Sequence, residues 1–200
     1  MDLPTPLDLH AQLQTLGHVV FEGPMNLTLV AIRQHPERSE PNTFEDLVGA
    51  LYQDEQLDWQ LELFPATTKP GRYWLEHPMR REGTAILTPG QYRRCFGFGL
   101  HRGRYRALKQ IGMMNFVRDN DLDELPELNG DLVSDPFDAI IGCNLHHAAV
   151  SRRAATVDRW SAACQVVQGI EDFDRIMALA DASALRYGYT FSYTLIDEWR

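Results

Sequence analysis

Between residues 26 and 117 the chain is a succession of short branched and aromatic runs cut by turn residues. That pattern restricts it to a mainly β fold. Leu57 to Leu63 is the clearest run: Leu57, Trp59, Leu61 and Leu63 alternate with polar residues, the period-two mark of a strand with one buried face. Asn26 to Arg33 and the largely apolar Phe44 to Tyr52 read as strands before it. His35 to Asn42 and Gln53-Asp54-Glu55-Gln56 are the connecting loops. Thr67 to Tyr73 and Thr88 to Tyr92 each carry a Pro-Gly pair, and two such turns point to an antiparallel meander. Tyr73 to Leu75, Thr84 to Leu87, Cys95 to His101 and Tyr105 to Val117 are further strand candidates. Gly97 and Gly99 mark a bulge or a close backbone approach.

Helices flank this β region. Thr5 is a cap candidate with Pro6 at the first helical position; Leu9, Leu13 and Leu16 share a face, and Gly17 is a stop. Near the other end, Phe173, Ile176, Met177 and Ala180 fall at helical spacing within Glu171 to Arg186, and Gly188 closes the helix. Tyr189 to Ile196 is a closing strand. Arg118 to Asp138 reads as acidic and irregular, and Ile140 to Leu145 as a buried strand. A chain of 200 residues is long enough for a single well-filled core. The expected layout is a β-sandwich or barrel over 42–200, with a helix and a strand from 1–41 packed on it.

Charge narrows the partners. A net charge of −9 argues against general nucleic-acid binding, which rests on neutralising phosphates. The crowded Arg93, Arg94, Arg102, Arg104, Arg106 and Lys109 read first as a solvated sheet face and second as a local groove. No apolar run reaches the length of a membrane span. The N-terminal residues lack the basic start and apolar stretch of a signal peptide, so any extracytoplasmic site of action requires a separate delivery route. Three cysteines cannot all pair within one chain.

The chemistry concentrates in Cys143-Asn144-Leu145-His146-His147 and Trp160-Ser161-Ala162-Ala163-Cys164-Gln165. An imidazole beside a thiol can take its proton, which makes His146 and Cys164 a base and nucleophile pair. Small residues before the thiol leave room for a substrate carbonyl and for backbone N–H groups around an oxyanion. The plainer reading of a lone cysteine is a core residue. Cys143, His146, His147 and Cys164 are also zinc-type ligands, but neighbouring strand residues point to opposite faces. Asp119 to Glu124 spaces carboxylates like a calcium loop, yet Glu124 and Gly130 stand where such a loop needs Gly and Glu. His101, after the Gly-spaced strand, fits either the same cleft or the surface.

These two segments resemble the catalytic segment of the L,D-transpeptidase family, in which a strand-end His is followed by a spacer and then Ser or Thr, a variable residue, Gly and the nucleophilic Cys. Here the residues are His146, then fourteen intervening positions, then Ser161, Ala162, Ala163 and Cys164. Asn144, Leu145, His146, Trp160, Ser161, Cys164 and Gln165 are also similar to a pattern in small proteins of bacteria and their phages. Three positions depart from the family: Ala163 replaces its Gly, His147 the Gly after the His, and Val166 the basic or amide residue two places after the Cys, with Gln165 one place earlier. The resemblance implies a mainly β catalytic domain that uses no metal or cofactor and acts on a peptidoglycan stem peptide through a Cys164 thioester. It implies His146 as base, with the His147 main chain orienting it. Ala163 and Cys164 would supply oxyanion donors, and Trp160, Ser161, Gln165 and Asn144 would shape the site. The alternative is the same fold kept as a non-catalytic binding or structural module.

Overall fold

The computed structural model describes residues 3–34, 40–127, 139–149 and 153–199. The elements in order are α1 (Pro6–Thr15), β1 (Thr28–Arg33), β2 (Asp46–Gln53), β3 (Trp59–Thr67), α2 (Arg72–Glu76), β4 (Thr84–Leu87), β5 (Gly90–His101), β6 (Tyr105–Gln110), β7 (Phe116–Asp119), β8 (Leu145–Ala149), β9 (Gln165–Gly169), α3 (Ile170–Tyr187) and β10 (Thr190–Asp197). Eight strands close into a barrel in the order β1-β10-β5-β6-β8-β9-β3-β2, while β4 and β7 form a separate two-stranded sheet. The chain is therefore mainly β. Two barrel pairings are parallel, β1 with β10 and β8 with β9. The strand from 1–41 is a stave of the barrel itself, between β2 and β10.

Local chemistry explains most element ends. The Thr5 side chain accepts the Asp8 N–H, which satisfies one of the free donors at the start of α1. Leu9 and Leu13 are fully buried in a cluster with Val30, Ile32, Leu51 and Ile196, flanked by Trp59, Leu61 and Leu63. The alternating face of β3 thus carries the outer helix. Leu16 does not share that face, because the helix ends at Thr15 and leaves it exposed. Leu57 falls in the preceding turn at φ 70°, so the alternation begins at Trp59. On the other side of the barrel wall, α3 buries Phe173, Ile176, Met177, Leu179 and Ala180 in the main core with Leu29, Phe96, Leu108 and Leu195.

Four further sequence expectations change. Tyr73 to Leu75 is helical rather than extended, lying within α2, where the Gly71 carbonyl accepts the Trp74 N–H. The Pro70-Gly71 pair is no hairpin turn. It presses against the 158–161 loop, with the Gly71 N–H donating to the Ser161 carbonyl at 2.9 Å. A Cβ on Gly71 would lie 2.1 Å from the Asp158 carbonyl oxygen, so glycine is required there. The expected strand Ile140 to Leu145 starts only at Leu145. Upstream of it, the N–H groups of Ile141, Gly142 and Cys143 are all taken by the Gln110 side-chain oxygen, at 3.1, 2.9 and 2.8 Å. Gln110 also ends β6, so the expected Tyr105 to Val117 strand divides into β6 and β7.

Candidate active site

The parallel pairing of β8 and β9 brings together residues that are distant in sequence. Leu145 stands opposite Gln165, which sets Cys164 level with Asn144 at the matching ends of the two strands. The Gln165 N–H donates to the Asn144 carbonyl at 2.9 Å and fixes that register. From the next strand pair, the β5–β6 hairpin turns through Arg102 and Gly103, both in the left-handed region at φ 49° and 69°, and sets His101 opposite Tyr105. A ring nitrogen of His101, a ring nitrogen of His146 and the Sγ of Cys164 all lie within 4.8 Å of one another.

His146 is 1 % exposed. Its Nδ1 donates to the His147 carbonyl at 2.8 Å; since a carbonyl only accepts, the proton sits on Nδ1 and Nε2 presents a lone pair. Tyr105 Oη approaches the same Nδ1 at 3.1 Å. Among the described residues the buried Nε2 has no hydrogen-bond partner. The His101 ring stacks on the His146 ring, centroids 3.9 Å apart.

A chain of hydrogen bonds also sets the proton on His101. The Gln110 backbone N–H donates to Asn144 Oδ1 at 2.9 Å, which identifies the other amide atom as Nδ2. That Nδ2 lies 3.2 Å from His101 Nδ1 and must donate to it. Nδ1 is therefore the acceptor, and the proton of the neutral ring is on Nε2. The same argument weighs against a metal. His101, His146 and Cys164 are zinc-type ligands close together, but the Nδ1 of His101 is taken by Asn144 and its Nε2 carries the proton, so the ring offers no free lone pair to a metal. The four-residue set suggested by the sequence does not assemble. The Cys143 thiol is buried against the Ala163 carbonyl at 3.0 Å, and the His147 ring turns to the other face, onto Tyr105 and Phe173.

Electrostatically the pair is neutral at rest. Burial pushes the Cys164 thiol up to about 11, against smaller pulls from the Asn144 backbone and the Arg102 guanidinium. Burial, followed by the neighbouring His101, carries His146 down to about 3. Burial and then Arg102 carry His101 down to about 4. The resting state is thus thiol and neutral imidazole rather than a thiolate–imidazolium pair.

His101 and Cys164 face a pocket of about 520 Å³ walled by Trp74, Met79, Trp160, Arg80, Arg102 and Arg118. Asn144, Ala163 and Cys164 line it as well. Ala163 is not among the residues with positive φ, so the family's glycine is not needed for backbone conformation here. Ser161 is fully buried, and its hydroxyl donates to the Cys164 carbonyl at 2.8 Å, holding the loop rather than facing the pocket. Gln165 points into the barrel, where its Oε1 accepts from Tyr193 Oη at 2.8 Å. The sequence leaves His101 between the cleft and the surface and carries no mark of Tyr105, Arg118 or Trp74 as part of the site. A histidine ending a strand just before a tight Arg-Gly turn was the available signal for the first. Most of the basic run lies on the barrel's outer surface, with Arg106 paired to Asp181 and stacked on Phe98. In the acidic loop the carboxylates of Asp121 and Asp123 accept nearby backbone N–H groups, while Gly130 lies outside the described residues.

Among the described residues no helix is long and apolar enough to cross a membrane. Comparisons with protein families, with curated proteins and with solved structures find no match to this chain.

Proposed function

We propose that the chain is a cysteine acyltransferase or peptidase acting on peptidoglycan stem peptides. The observation that carries this reading is the unpartnered, buried Nε2 of His146, oriented by the His147 carbonyl and set beside the Cys164 thiol on the wall of a peptide-sized pocket. A buried lone pair without a partner costs free energy, and a base awaiting a proton accounts for it. Arg80, Arg102 and Arg118 suit the free carboxylates of a stem peptide, and Trp74 and Trp160 suit its aliphatic parts.

In this reading His146 Nε2 takes the thiol proton as Sγ bonds to the acyl carbon. Collapse of the adduct expels an amine, which takes that proton from His146 and leaves a thioester on Cys164. An amine or a water then attacks with His146 again as base, and the thiol is restored. The test is mass spectrometry of muropeptides incubated with the native protein and with Cys164→Ala. New cross-linked or trimmed products are expected only with the native chain. Equal product formation by both proteins overturns the reading. A second reading, a non-catalytic binding module, draws on the resting neutrality of the pair, with the thiol near 11 and the imidazole near 3. It predicts muropeptides recovered bound but unchanged.

A further inference from the structure

We infer that His101 is a catalytic residue of this site, whose Nε2–H is a fixed neutral donor to the oxyanion that forms when Cys164 attacks an acyl group. The inference rests on the acyl-transfer reading and adds a residue that the resemblance does not assign.

Three observations carry it. His101 lines the pocket and places a ring nitrogen within 4.8 Å of Cys164 Sγ and of His146. An acyl oxygen bonded to a carbon on Sγ stands two covalent bonds from the sulfur. A donor carried on that ring can reach the roughly 2.7–3.1 Å that stabilises such an oxygen. Second, the donor state is built in. Gln110 N–H fixes Asn144 Oδ1, Asn144 Nδ2 fixes His101 Nδ1, and the proton is left on Nε2. Third, the two stacked imidazoles are set in opposite states. His146 keeps its proton on the Nδ1 that donates to the His147 carbonyl and leaves a lone pair on Nε2, while His101 accepts from Asn144 at Nδ1 and carries its proton on Nε2. The remaining nitrogen accepts in one ring and donates in the other, which is the division of labour that thiol attack on a carbonyl requires. Ring stacking also fixes His101 in place, so no reorganisation is needed as charge develops.

The sequence of bonds balances. Sγ forms a bond to the acyl carbon and its proton goes to His146 Nε2. The carbonyl π pair moves to oxygen, which accepts a hydrogen bond from His101 Nε2–H without taking the proton. On collapse the pair returns, the C–N or C–O bond breaks, and the leaving group takes the proton from His146.

The experiment compares two chemistries at the same thiol. p-Nitrophenyl acetate acylates Cys164 through an oxyanion, whereas iodoacetamide alkylates it by displacement at carbon, with no oxyanion. Both rates are measured for the native chain, His101→Ala, His101→Gln and His146→Ala, with circular dichroism to establish folding. His101→Ala is expected to slow acylation about 10²-fold while alkylation stays within a few-fold. His101→Gln, whose amide keeps a donor, is expected to recover part of the loss, and His146→Ala to slow both. Equal slowing of acylation and alkylation in both His101 variants overturns the inference and makes His101 a support for the loop. Stoichiometric zinc binding that is lost in His101→Ala and in a Cys164→Ser variant also overturns it, since it requires a lone pair on Nε2. A native Cys164 that is alkylated but never acylated counts instead against the acyl-transfer reading itself.

Discussion

At the scale of single residues, the site is decided by which nitrogen carries which proton. His146 and His101 are both held neutral by burial, one near 3 and the other near 4, so neither contributes a full charge at neutral pH. A thiol near 11 cannot attack as preformed thiolate at a useful rate. On the acyl-transfer reading, attack is therefore coupled to proton transfer to His146, and this fixes the pH dependence. Above the His146 value of about 3 the base is free, and below the Cys164 value of about 11 the thiol still holds its proton, so the acylation rate is expected to be flat across the interval. Attack by free thiolate would instead climb tenfold per pH unit through the same range. Blank-corrected stopped-flow acylation by p-nitrophenyl acetate from pH 5 to 9 distinguishes the two. His146→Gln should convert the plateau into the rising line. A rising profile in the native chain would remove His146 from the chemistry.

At the scale of elements, the loop carrying Cys164 is held from below by α2 and its leading glycine. Gly71 donates to the Ser161 carbonyl, the Ser161 hydroxyl donates to the Cys164 carbonyl, and no space for a Cβ exists beside Asp158. Gly71→Ala should cost about 1–3 kcal/mol, as overpacking generally does. The effect should concentrate on the thiol: acylation of Cys164 is expected to fall at least tenfold while the barrel's circular dichroism is kept. Unchanged acylation would mean that the loop reaches its geometry without this contact. Such contacts also mark where the sequence stopped being legible. The strands β3 and β10 and both long helices follow from periodicity and caps, because each spends its backbone groups on its own element or its neighbours. The Ile140 to Leu145 run has the composition of a strand, but its N–H groups go to a single distant side chain, Gln110, which no local pattern reveals. Ile140 is exposed, and Ile141 lines the pocket beside it. β9 was missed because five residues between a loop and a helix leave no periodicity to read. His146 and Cys164 were legible as a candidate pair from residue type together with the fourteen-position spacing of the resemblance, since residue type by itself favours a core cysteine. His101 was legible only as one of two alternatives and Tyr105 not at all, since both arrive through the barrel closure, from a hairpin some forty positions upstream.

For the whole molecule, the acidic balance and the buried imidazoles make opposite demands as pH falls. A chain of net charge −9 loses self-repulsion when carboxylates take up protons, and this alone would raise stability on mild acidification. Asp119 adds to that trend. Its pKa is raised by burial to about 6 from 3.8, so its stabilising contribution is full below the lower value and fades as pH rises through the higher. The histidines act the other way. In the unfolded chain they titrate near 6.5; in the fold His146 is held near 3 and His101 near 4, with His147 and His18 also lowered by burial. Between those values the unfolded chain binds protons that the fold refuses, so their contribution is complete above about pH 6.5 and lost as pH falls toward 4. Surface repulsion is screened in ordinary salt, whereas a fully buried imidazole is not, so the histidine effect should dominate. The expected outcome is a calorimetric melting temperature that is level from pH 8 to 7 and falls steadily from 6.5 to 4.5 at physiological ionic strength. His101→Gln, which removes one of the refused protons, should melt with a shallower slope over that window while keeping the same plateau width. A native melting temperature that rises on acidification would mean that these imidazoles admit protons in the fold, and the neutral donor and acceptor states assigned to the site would fall with it.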